Sequence, residues 1–367
     1  MTIGIPKEIK NNEFRVGLLP EHVSMLTQQH KVIVQESAGI GCGKSNQEYI
    51  DAGATVVSKL QDVYAQAELI VKVKEPLPEE YSLITSKHTV FTFFHFAASE
   101  ELTLAMQQSG ATCVAYETIE DNNGRLPLLM PMSEVAGRLA GQQAAKYLEK
   151  PQGGSGILVG GVTGVPPATV FVFGGGVVGA NAADVLIGMG ANVFMFDINE
   201  KRLKALETQF DGKITPVVAT TENIGAHLPL ADAVIGAVLV KGAKAPKLLS
   251  KSMLSLMKPN SVLIDVAVDQ GGCFETTRPT THENPTYEVE GILHYAVANM
   301  PGAVPKTSTQ ALSNKTFPYV LQLADGNINT LPETFKKGVN IYRGHIINAE
   351  VAEAFELPYT PLSKILS

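Results

Sequence analysis

Three glycines at the spacing of a dinucleotide-binding turn are the clearest chemical signal in this sequence. Gly174, Gly176 and Gly179 follow an apolar run at 170–173 and precede small and apolar residues at helical spacing. The first glycine allows a sharp turn, the second lets a pyrophosphate approach the backbone at the positive end of a helix, and the third lets that helix lie close to the strand. The pattern predicts a βαβ unit that binds a dinucleotide.

An acid at the end of the next apolar run completes this pattern. Asp197 follows residues 193–196 and lies 18 positions after Gly179. Its carboxylate is placed to accept hydrogen bonds from the adenine ribose and to repel a 2′-phosphate, so the sequence favours NAD over NADP. The alternative is a parallel α/β core with tight turns and no ligand. The complete order of strand, turn, helix, strand and acid disfavours that alternative.

Four ionisable side chains follow other apolar runs that we predict to be parallel strands. They are Arg15, Lys74, His95 and Asp269. Because ligands bind at the carboxyl ends of the strands in open α/β sheets, we expect these groups on one rim, facing a cleft between two domains.

The chemistry of these four groups suits an amino acid or a 2-oxo acid. The guanidinium of Arg15 can hold a carboxylate with two parallel hydrogen bonds. Lys74 can polarise a carbonyl oxygen, and His95 can transfer a proton near neutral pH. Asp269 can attract an ammonium group or orient a polar intermediate. The sequence therefore predicts hydride transfer from the Cα atom of such a substrate.

Each of these residues also has a structural interpretation. Arg15 is alternatively a solvated or a structural charge, as arginines in loops usually are, and Lys74 is alternatively a surface residue. His95 lies between two phenylalanines, where a hydrogen-bonded core histidine is an equal alternative. Asp269 precedes a Gln-Gly-Gly sequence and is alternatively a turn-forming residue.

Three further residues receive structural interpretations only. We predict that Glu117 simply ends its strand beside the turn at 121–124, and that Met130 and Met132 fill core space. Residues 132–149 read as one long helix with Ser133 as its N-terminal cap.

Composition indicates a globular protein of two domains. The chain has 367 residues, of which 45% are hydrophobic and 18% charged, and that length exceeds one ordinary core. Its net charge of −7 argues against a nucleic acid or an anionic membrane as partner. Three widely spaced cysteines and no secretory leader suggest reduced thiols in the cytoplasm.

Alternation of short apolar runs with helical patterns predicts the α/β class, with two Rossmann-like, doubly wound parallel-sheet domains separated by a cleft. Strands are predicted at residues 3–5, 32–34, 69–73, 90–94 and 113–116, then at 170–173, 193–196, 214–218, 233–240, 262–268 and 292–297. Helices are predicted at residues 21–29, 47–52, 60–67, 100–109, 132–149, 310–324 and 347–355. We assign residues 1–130 and 305–367 to a discontinuous substrate domain and residues 131–304 to the NAD-binding domain.

With these motifs in place, the chain resembles alanine dehydrogenases, a family that also contains the soluble NAD-binding part of proton-translocating transhydrogenase. Besides the glycine fingerprint, the resemblance is carried by IGIPKEIKNNEFRVG at 3–17, VKVKEP at 71–76, FTFFHFAAS at 91–99, PMSEVAGRLA at 131–140, IGAVLVKGAKAPKL at 235–248, DVAVDQGGCFETTRPTTH at 265–282 and VANMPGAVPKTSTQAL at 297–312.

The resemblance implies roles for individual residues. His95 and Asp269 match the family's catalytic residues. Substrate-binding positions match Arg15, Lys74 and Asn299. Cofactor-binding positions match Ser133, Gly174, Gly176, Gly179, Asp197, Arg202, Val238, Leu239, Asp269 and Met300. Some members bind magnesium through a glutamate at position 117 and a histidine after the Leu-Ala-Asp triplet. Gly326 follows that triplet here, so we predict no metal.

The resemblance further implies NAD-dependent, reversible deamination of L-alanine to pyruvate and ammonium by a cytoplasmic homohexamer. Two other functions remain open on the sequence. One is a transhydrogenase subunit that presents nicotinamide to a partner protein and has no small substrate. The other is a non-catalytic protein that senses NAD.

Overall fold

The computed structural model describes residues 1–238 and 245–366, and the chain divides into two compact units. The first unit combines Met1–Met132 with Val304–Ser367, and the second is Ser133–Ala303. Each unit is built on its own sheet.

The strands of the described residues are numbered in chain order. They are β1 Thr2–Ile5, β2 Lys31–Gln35, β3 Thr55–Val57, β4 Leu69–Val71, β5 Thr89–Thr92, β6 Thr112–Ala115, β7 Thr169–Phe173, β8 Asn192–Asp197, β9 Ile214–Val218, β10 Ala233–Gly236, β11 Val262–Asp265, β12 Thr286–Val289, β13 Ile292–Tyr295, β14 Val339–Tyr342 and β15 His345–Ile346.

The α-helices are numbered in the same way. They are α1 Pro20–Leu26, α2 Asn46–Asp51, α3 Leu60–Gln66, α4 Pro78–Tyr81, α5 Glu100–Ser109, α6 Met130–Tyr147, α7 Val177–Gly188, α8 Glu200–Gln209, α9 Thr221–His227, α10 Pro305–Asp325, α11 Glu333–Lys336, α12 Ala349–Ala354 and α13 Ser363–Leu366. Within the described ranges, no helix is long and apolar enough to cross a bilayer.

The sheet of the first unit has the order β15-β14-β6-β5-β4-β1-β2-β3. Its first six strands in sequence pair in parallel, and read from β3 they give the doubly wound order 3-2-1-4-5-6. Strands β14 and β15 extend the β6 edge in antiparallel pairing. The winding direction reverses between β1 and β4, which is where such sheets bind ligands.

The sheet of the second unit has the order β12-β13-β11-β10-β7-β8-β9. Apart from the antiparallel edge strand β12, its strands pair in parallel and repeat the same winding order, with the reversal between β7 and β10. The predicted α/β class with two Rossmann-like sheets is therefore confirmed.

Helices pack on these sheets because the parallel strands are apolar on both faces. In the first unit, Ile70 and Val90 are fully buried within one cluster of side chains from helices and strands. In the second unit, Phe171, Val234 and Leu263 lie in a comparable cluster. The central strands consequently read as continuous apolar runs, which is why the sequence located them.

Several predicted boundaries differ from those observed. Strands β4, β5 and β11 end before residues 73, 94 and 268, although Val73, Phe94 and Val268 are buried apolar residues. The short strands β3, β12, β14 and β15 were not predicted. The predicted strand at 233–240 contains β10, and its residues 239–240 lie outside the described residues.

The predicted cap of the long helix is wrong. Helix α6 begins at Met130, three residues before Ser133, and the Met130 N–H bonds to the Leu126 carbonyl at 3.1 Å. Pro131 is accommodated because the first turn of a helix needs no N–H donor there. Ser133 therefore lies within the helix.

Candidate active site

Arg15 is buried and paired with a carboxylate close to it in sequence. Glu13 accepts hydrogen bonds from its Nε atom at 2.7 Å and its Nη2 atom at 2.5 Å, a bidentate geometry. Glu13 also accepts the backbone N–H of Arg15 at 3.0 Å, and Nη1 lies 3.0 Å from the sulfur of Met132. Only 2% of Arg15 is exposed, which rules out a solvated surface charge.

Lys74 lies three residues beyond the end of β4, and a carboxylate holds its backbone. Glu8, in the loop after β1, accepts the N–H of Val73 at 2.6 Å and that of Lys74 at 3.3 Å. The Thr92 hydroxyl donates to the Lys74 carbonyl at 2.9 Å. Lys74 is buried, so the surface-lysine interpretation is wrong here too.

Beneath Lys74 lies an ion network that the sequence analysis did not identify. The Nζ atom of Lys72, which has no exposed surface, is 3.3 Å from Glu8 and 2.8 Å from Glu80. The Tyr64 hydroxyl donates to Glu80 at 2.7 Å. Burial by itself lowers the pKa of Lys72, but the carboxylates of Glu8 and Glu80 outweigh it and raise that pKa. Burial raises the pKa of Glu8 despite the attraction of Lys72.

His95 is exposed, so the core-histidine alternative is wrong. It follows β5 by three residues and has a left-handed backbone, with φ 51° and ψ 42°. Its ring stacks on Phe93 at a centroid distance of 5.8 Å and an angle of 4°. The flanking Phe94 and Phe96 rings are buried and stack on each other at 4.4 Å. The imidazole is therefore held at the carboxyl end of the sheet by aromatic packing.

Glu117 does more than end its strand. It lies in a short 3₁₀ turn, Tyr116–Thr118, directly after β6. Its Oε1 atom accepts the N–H of His95 at 2.6 Å and that of Phe94 at 3.2 Å, and its Oε2 atom is 3.3 Å from the Phe94 nitrogen. The prediction of a plain strand end missed this contact, because it depends on the register of β6 against β5.

In the second unit, the glycine fingerprint adopts the geometry that its spacing predicts. Gly174 follows β7 with φ 97°, and helix α7 begins immediately after Gly176. A Cβ atom on Gly179 would lie 1.8 Å from the Gly174 carbonyl oxygen, so only glycine allows this approach of helix to strand. A Cβ on Gly176 would meet no atom within 4 Å, which leaves open space at the start of α7.

Asp197 and Arg202 converge on the same turn. The Asp197 carboxylate accepts the N–H of Gly175 at 2.6 Å and that of Asn199 at 2.8 Å. Arg202 Nε donates to the Gly175 carbonyl at 2.6 Å. Ile198, beside the acid, is 83% exposed although it is a large apolar residue. The sequence analysis did not select Ile198. A large apolar residue directly after Asp197 was the feature that could have identified it.

Asp269 is exposed on a 3₁₀ turn, Val268–Gln270, four residues beyond the end of β11. Asp265 shapes the loop instead, because its carboxylate accepts the N–H groups of Ala267 at 3.0 Å and Cys273 at 2.7 Å. Burial raises the pKa of Asp265. Lys247 Nζ donates to the carbonyls of Gly271, Gly272 and Phe274 on the other side of the loop.

The remaining predicted cofactor and substrate positions lie in the second unit. Val238 is half-buried, two residues past β10, and Leu239 lies outside the described residues. Asn299 has a left-handed backbone, and its carbonyl is 3.3 Å from His282 Nε2. Met300 is buried at the start of the turn Met300–Ala303.

The positions of these residues separate into two groups. The first unit carries Arg15, Lys74 and His95 after the adjacent strands β1, β4 and β5. The second unit carries the glycine turn and, after β11, Asp269. Within residues 1–238 and 245–366, no three His, Cys, Asp or Glu side chains cluster as a metal site would require.

Comparison with known proteins identifies the family. The family model Alanine dehydrogenase/PNT, N-terminal domain, matches residues 4–136, and its C-terminal counterpart matches residues 140–349. The alanine dehydrogenase of Halomonas elongata is 50% identical over the full length of both chains.

Two solved structures extend the comparison. An L-alanine dehydrogenase superposes with a TM-score of 0.94 at 48% identity, covering 97% of this chain and 99% of the other. A transhydrogenase from Sinorhizobium meliloti superposes with a TM-score of 0.83 at 26% identity, covering 95% and 100%. The resemblance drawn from the motifs is thereby confirmed, and this chain belongs to the alanine dehydrogenase/PNT family.

Proposed function

We propose that this protein is an NAD-dependent L-alanine dehydrogenase. It converts L-alanine, NAD⁺ and water reversibly to pyruvate, ammonium, NADH and a proton. The observation that carries the proposal is the set Arg15, Lys74 and His95 at the ends of three adjacent parallel strands, each tied to a carboxylate of its own. The full-length identity to named alanine dehydrogenases supports the same substrate.

Arg15 and Lys74 bind and orient the substrate. The guanidinium holds the substrate carboxylate, and its pairing with Glu13 fixes the plane of the fork before the substrate arrives. The Lys74 ammonium polarises the oxygen of the oxo acid. Because Glu8 holds the Lys74 backbone from below, the ammonium is presented from a rigid support.

His95 transfers the protons. A bound nicotinamide would supply the hydride acceptor. Once the substrate ammonium has released a proton to solvent, loss of hydride from Cα leaves the substrate as a protonated 2-imino acid. His95 then takes a proton from the water that adds to the imine carbon and returns it to the departing ammonia. Asp269, exposed on its turn, stabilises the cationic states of the nitrogen.

The second unit has the features that a nicotinamide dinucleotide requires. The open space at Gly176 lies where the backbone N–H groups at the start of α7 face a pyrophosphate. Asp197 would accept hydrogen bonds from the ribose hydroxyls, and the exposed Ile198 would offer an apolar surface to adenine. The acid at position 197 favours NAD over NADP, because a 2′-phosphate would be repelled there.

Four further properties belong to this proposal. The first unit is the substrate domain and the second the NAD-binding domain, as their residues suggest. The protein works in the cytoplasm, in keeping with three free, buried cysteines. It assembles as a homohexamer, which light scattering of the purified protein can test. We propose no metal requirement.

The test is an NADH-formation assay of the purified chain across a panel of amino acids, with NAD and NADP side by side. We expect turnover with L-alanine and NAD, and much lower rates with NADP. A transhydrogenase subunit would bind NAD but would not reduce it when alanine is the sole addition. A sensing protein would bind NAD tightly and turn over no amino acid.

A further inference from the structure

The segment that carries His95 has an uncommon backbone. A non-glycine residue rarely adopts φ near 51°, and such a conformation persists when the surrounding structure stabilises it. The left-handed turn at His95 allows the flanking residues Phe94 and Phe96 to bury stacked rings while the imidazole between them remains exposed. The turn therefore determines where the imidazole lies.

The Glu117 carboxylate is the polar group that holds this turn from the neighbouring strand. It accepts the N–H groups of Phe94 and His95, the two peptide units that lead into the left-handed residue. A hydrogen bond to an ionised carboxylate is stronger than one between neutral groups. Strands β5 and β6 pair in parallel with Thr92 opposite Ala115, and this register brings Glu117 beside the turn.

We infer that Glu117 is a positioning residue for His95: its carboxylate fixes the left-handed turn and thereby the imidazole during proton transfer. This inference rests on the proposed function of His95. Glu8 holds Val73 and Lys74 through the same pattern of two consecutive N–H groups, so the first unit uses the device twice. Both Glu117 oxygens lie within hydrogen-bond distance of backbone nitrogens of this turn.

Three substitutions separate geometry from charge. Glu117→Ala removes the acceptor, Glu117→Asp keeps the charge but withdraws it by one methylene, and Glu117→Gln keeps an acceptor oxygen at full reach. We expect kcat for alanine oxidation to fall on the order of 10²-fold for Ala and Asp, because a small misplacement of a catalytic group has that effect. The Gln variant should stay within roughly tenfold of wild type, since it restores the hydrogen bonds without the charge.

Other readouts exclude a merely structural role. The KM for NAD should be unchanged in all three variants, and Glu101→Ala, an exposed acid in the first turn of α5, should behave as wild type. Amide hydrogen exchange of a peptide covering residues 91–99 should be faster in the Ala and Asp variants. If Glu117→Ala does not fold, Glu117→Asp carries the test.

The inference is overturned if a folded Ala or Asp variant keeps wild-type kcat, or if Gln loses as much activity as Ala. It is also overturned if added magnesium or a chelator changes wild-type activity and the Gln variant no longer responds, which would make Glu117 a metal ligand. The exchange measurement needs no turnover. A wild-type protein inactive with alanine but with exchange controlled by Glu117 would refute the proposed function while leaving the structural link intact.

Discussion

The two sheets share one winding order but differ in the loop that follows their first strand. In the first unit, β1 ends at Ile5 and α1 begins at Pro20, so a long loop carries Glu8, Glu13 and Arg15. In the second unit, β7 ends at Phe173 and α7 begins at Val177, so the whole connection consists of the consecutive glycines at 174–176. The shared winding order sets the edge of the sheet at which a ligand binds. The length of this loop sets whether backbone N–H groups or side chains contact that ligand.

The difference has a physical basis. A short glycine turn brings backbone N–H groups and a helix start close to a diphosphate, with no side chain between them. A long loop has room for side chains that recognise a small carboxylate, but these must then be held in place. Carboxylates of this loop give such support: Glu13 pairs with the Arg15 guanidinium, and Glu8 accepts the backbone N–H of Lys74, which follows β4. Comparable chemistry recurs in the second unit, where Asp265 ties the loop that carries Asp269.

The largest effect should come from removing proton transfer in the first unit while leaving the second intact. We expect His95→Asn to lower kcat about 10²–10⁴-fold, the usual contribution of a general acid–base group. Asparagine tolerates a left-handed backbone, so the turn should survive. Steady-state kinetics with alanine measure kcat, and fluorescence titration measures the Kd for NADH.

If proton transfer in the first unit is independent of cofactor binding in the second, the Kd for NADH stays near wild type in His95→Asn. A variant that kept normal turnover would remove His95 from the mechanism.

A large loss of stability should follow from breaking the buried ion network of the first unit. Lys72→Met leaves the buried carboxylates of Glu8 and Glu80 without their cation, which should lower the free energy of unfolding by about 3–5 kcal/mol. Urea denaturation followed by circular dichroism measures this loss.

Lys251→Met in the second unit is the matched control. Lys251 and Glu290 form an ion pair in which both side chains are more than half exposed, so its loss should change the free energy of unfolding by less than about 1 kcal/mol. Equal losses of unfolding free energy in Lys72→Met and Lys251→Met would show that the effect does not depend on burial of the ion pair.

A smaller effect should separate cofactor binding from folding in the second unit. Gly176→Ala places a methyl group in open space, so stability should be unchanged, yet the methyl would occupy the proposed approach of the pyrophosphate. We expect the Kd for NAD to rise at least about tenfold. Gly188→Ala, at the exposed end of the same helix, should bind NAD normally and gain roughly 0.5–1 kcal/mol of stability.

Thermal denaturation and NAD titration of both glycine variants measure these effects. Unchanged affinity in Gly176→Ala would place the pyrophosphate elsewhere.

The smallest effect concerns pH and should occur in both units. Burial lowers the pKa of His88 in the first unit and of His294 in the second below 6.5. For a group whose pKa is depressed on folding, the stabilising contribution is complete above the unfolded pKa and is lost as pH falls. The free energy of unfolding should therefore decrease between pH 7 and pH 5, in the window below the ordinary histidine pKa of about 6.5.

His88 offers the variant that tests this dependence. Its Nδ1 atom accepts the N–H of Thr85 at 2.9 Å, and its Nε2 atom lies 2.8 Å from the Tyr64 carbonyl, an arrangement that suits the neutral ring. His88→Asn keeps an acceptor for Thr85 and does not titrate, so its stability should depend less on pH. Denaturation at a series of pH values compares the two slopes, and identical slopes would exclude His88.

The sequence predicted the central strands of both sheets and the glycine turn because these depend on local patterns. The close approach of Gly179 to Gly174, for example, follows directly from the spacing of a known motif. The sequence could not predict which carboxylate accepts hydrogen bonds from which loop. Glu8 and Lys74 are distant in the chain, and their contact depends on β1 pairing with β4.

Two further misses have the same origin. Lys72 stands inside an apolar run and gives no periodic signal, although it is one of the most buried side chains. Strand ends were placed too late because Val73, Phe93 and Phe94 are apolar and buried although they lie beyond the ends of β4 and β5. Hydrophobicity in a sequence reports burial, whereas strand boundaries depend on hydrogen bonds between segments.

The pairing of β14 with β6 has a consequence for biosynthesis. The edge of β6, at Thr112–Ala115, finds its neighbour at Val339–Tyr342, more than two hundred residues later. On the ribosome, the entire intervening unit emerges before that partner strand does, and an open sheet edge is a site for aberrant association. This edge therefore lacks its partner strand while Ser133–Ala303 is synthesised, and truncation before residue 339 should yield aggregates rather than a soluble fragment.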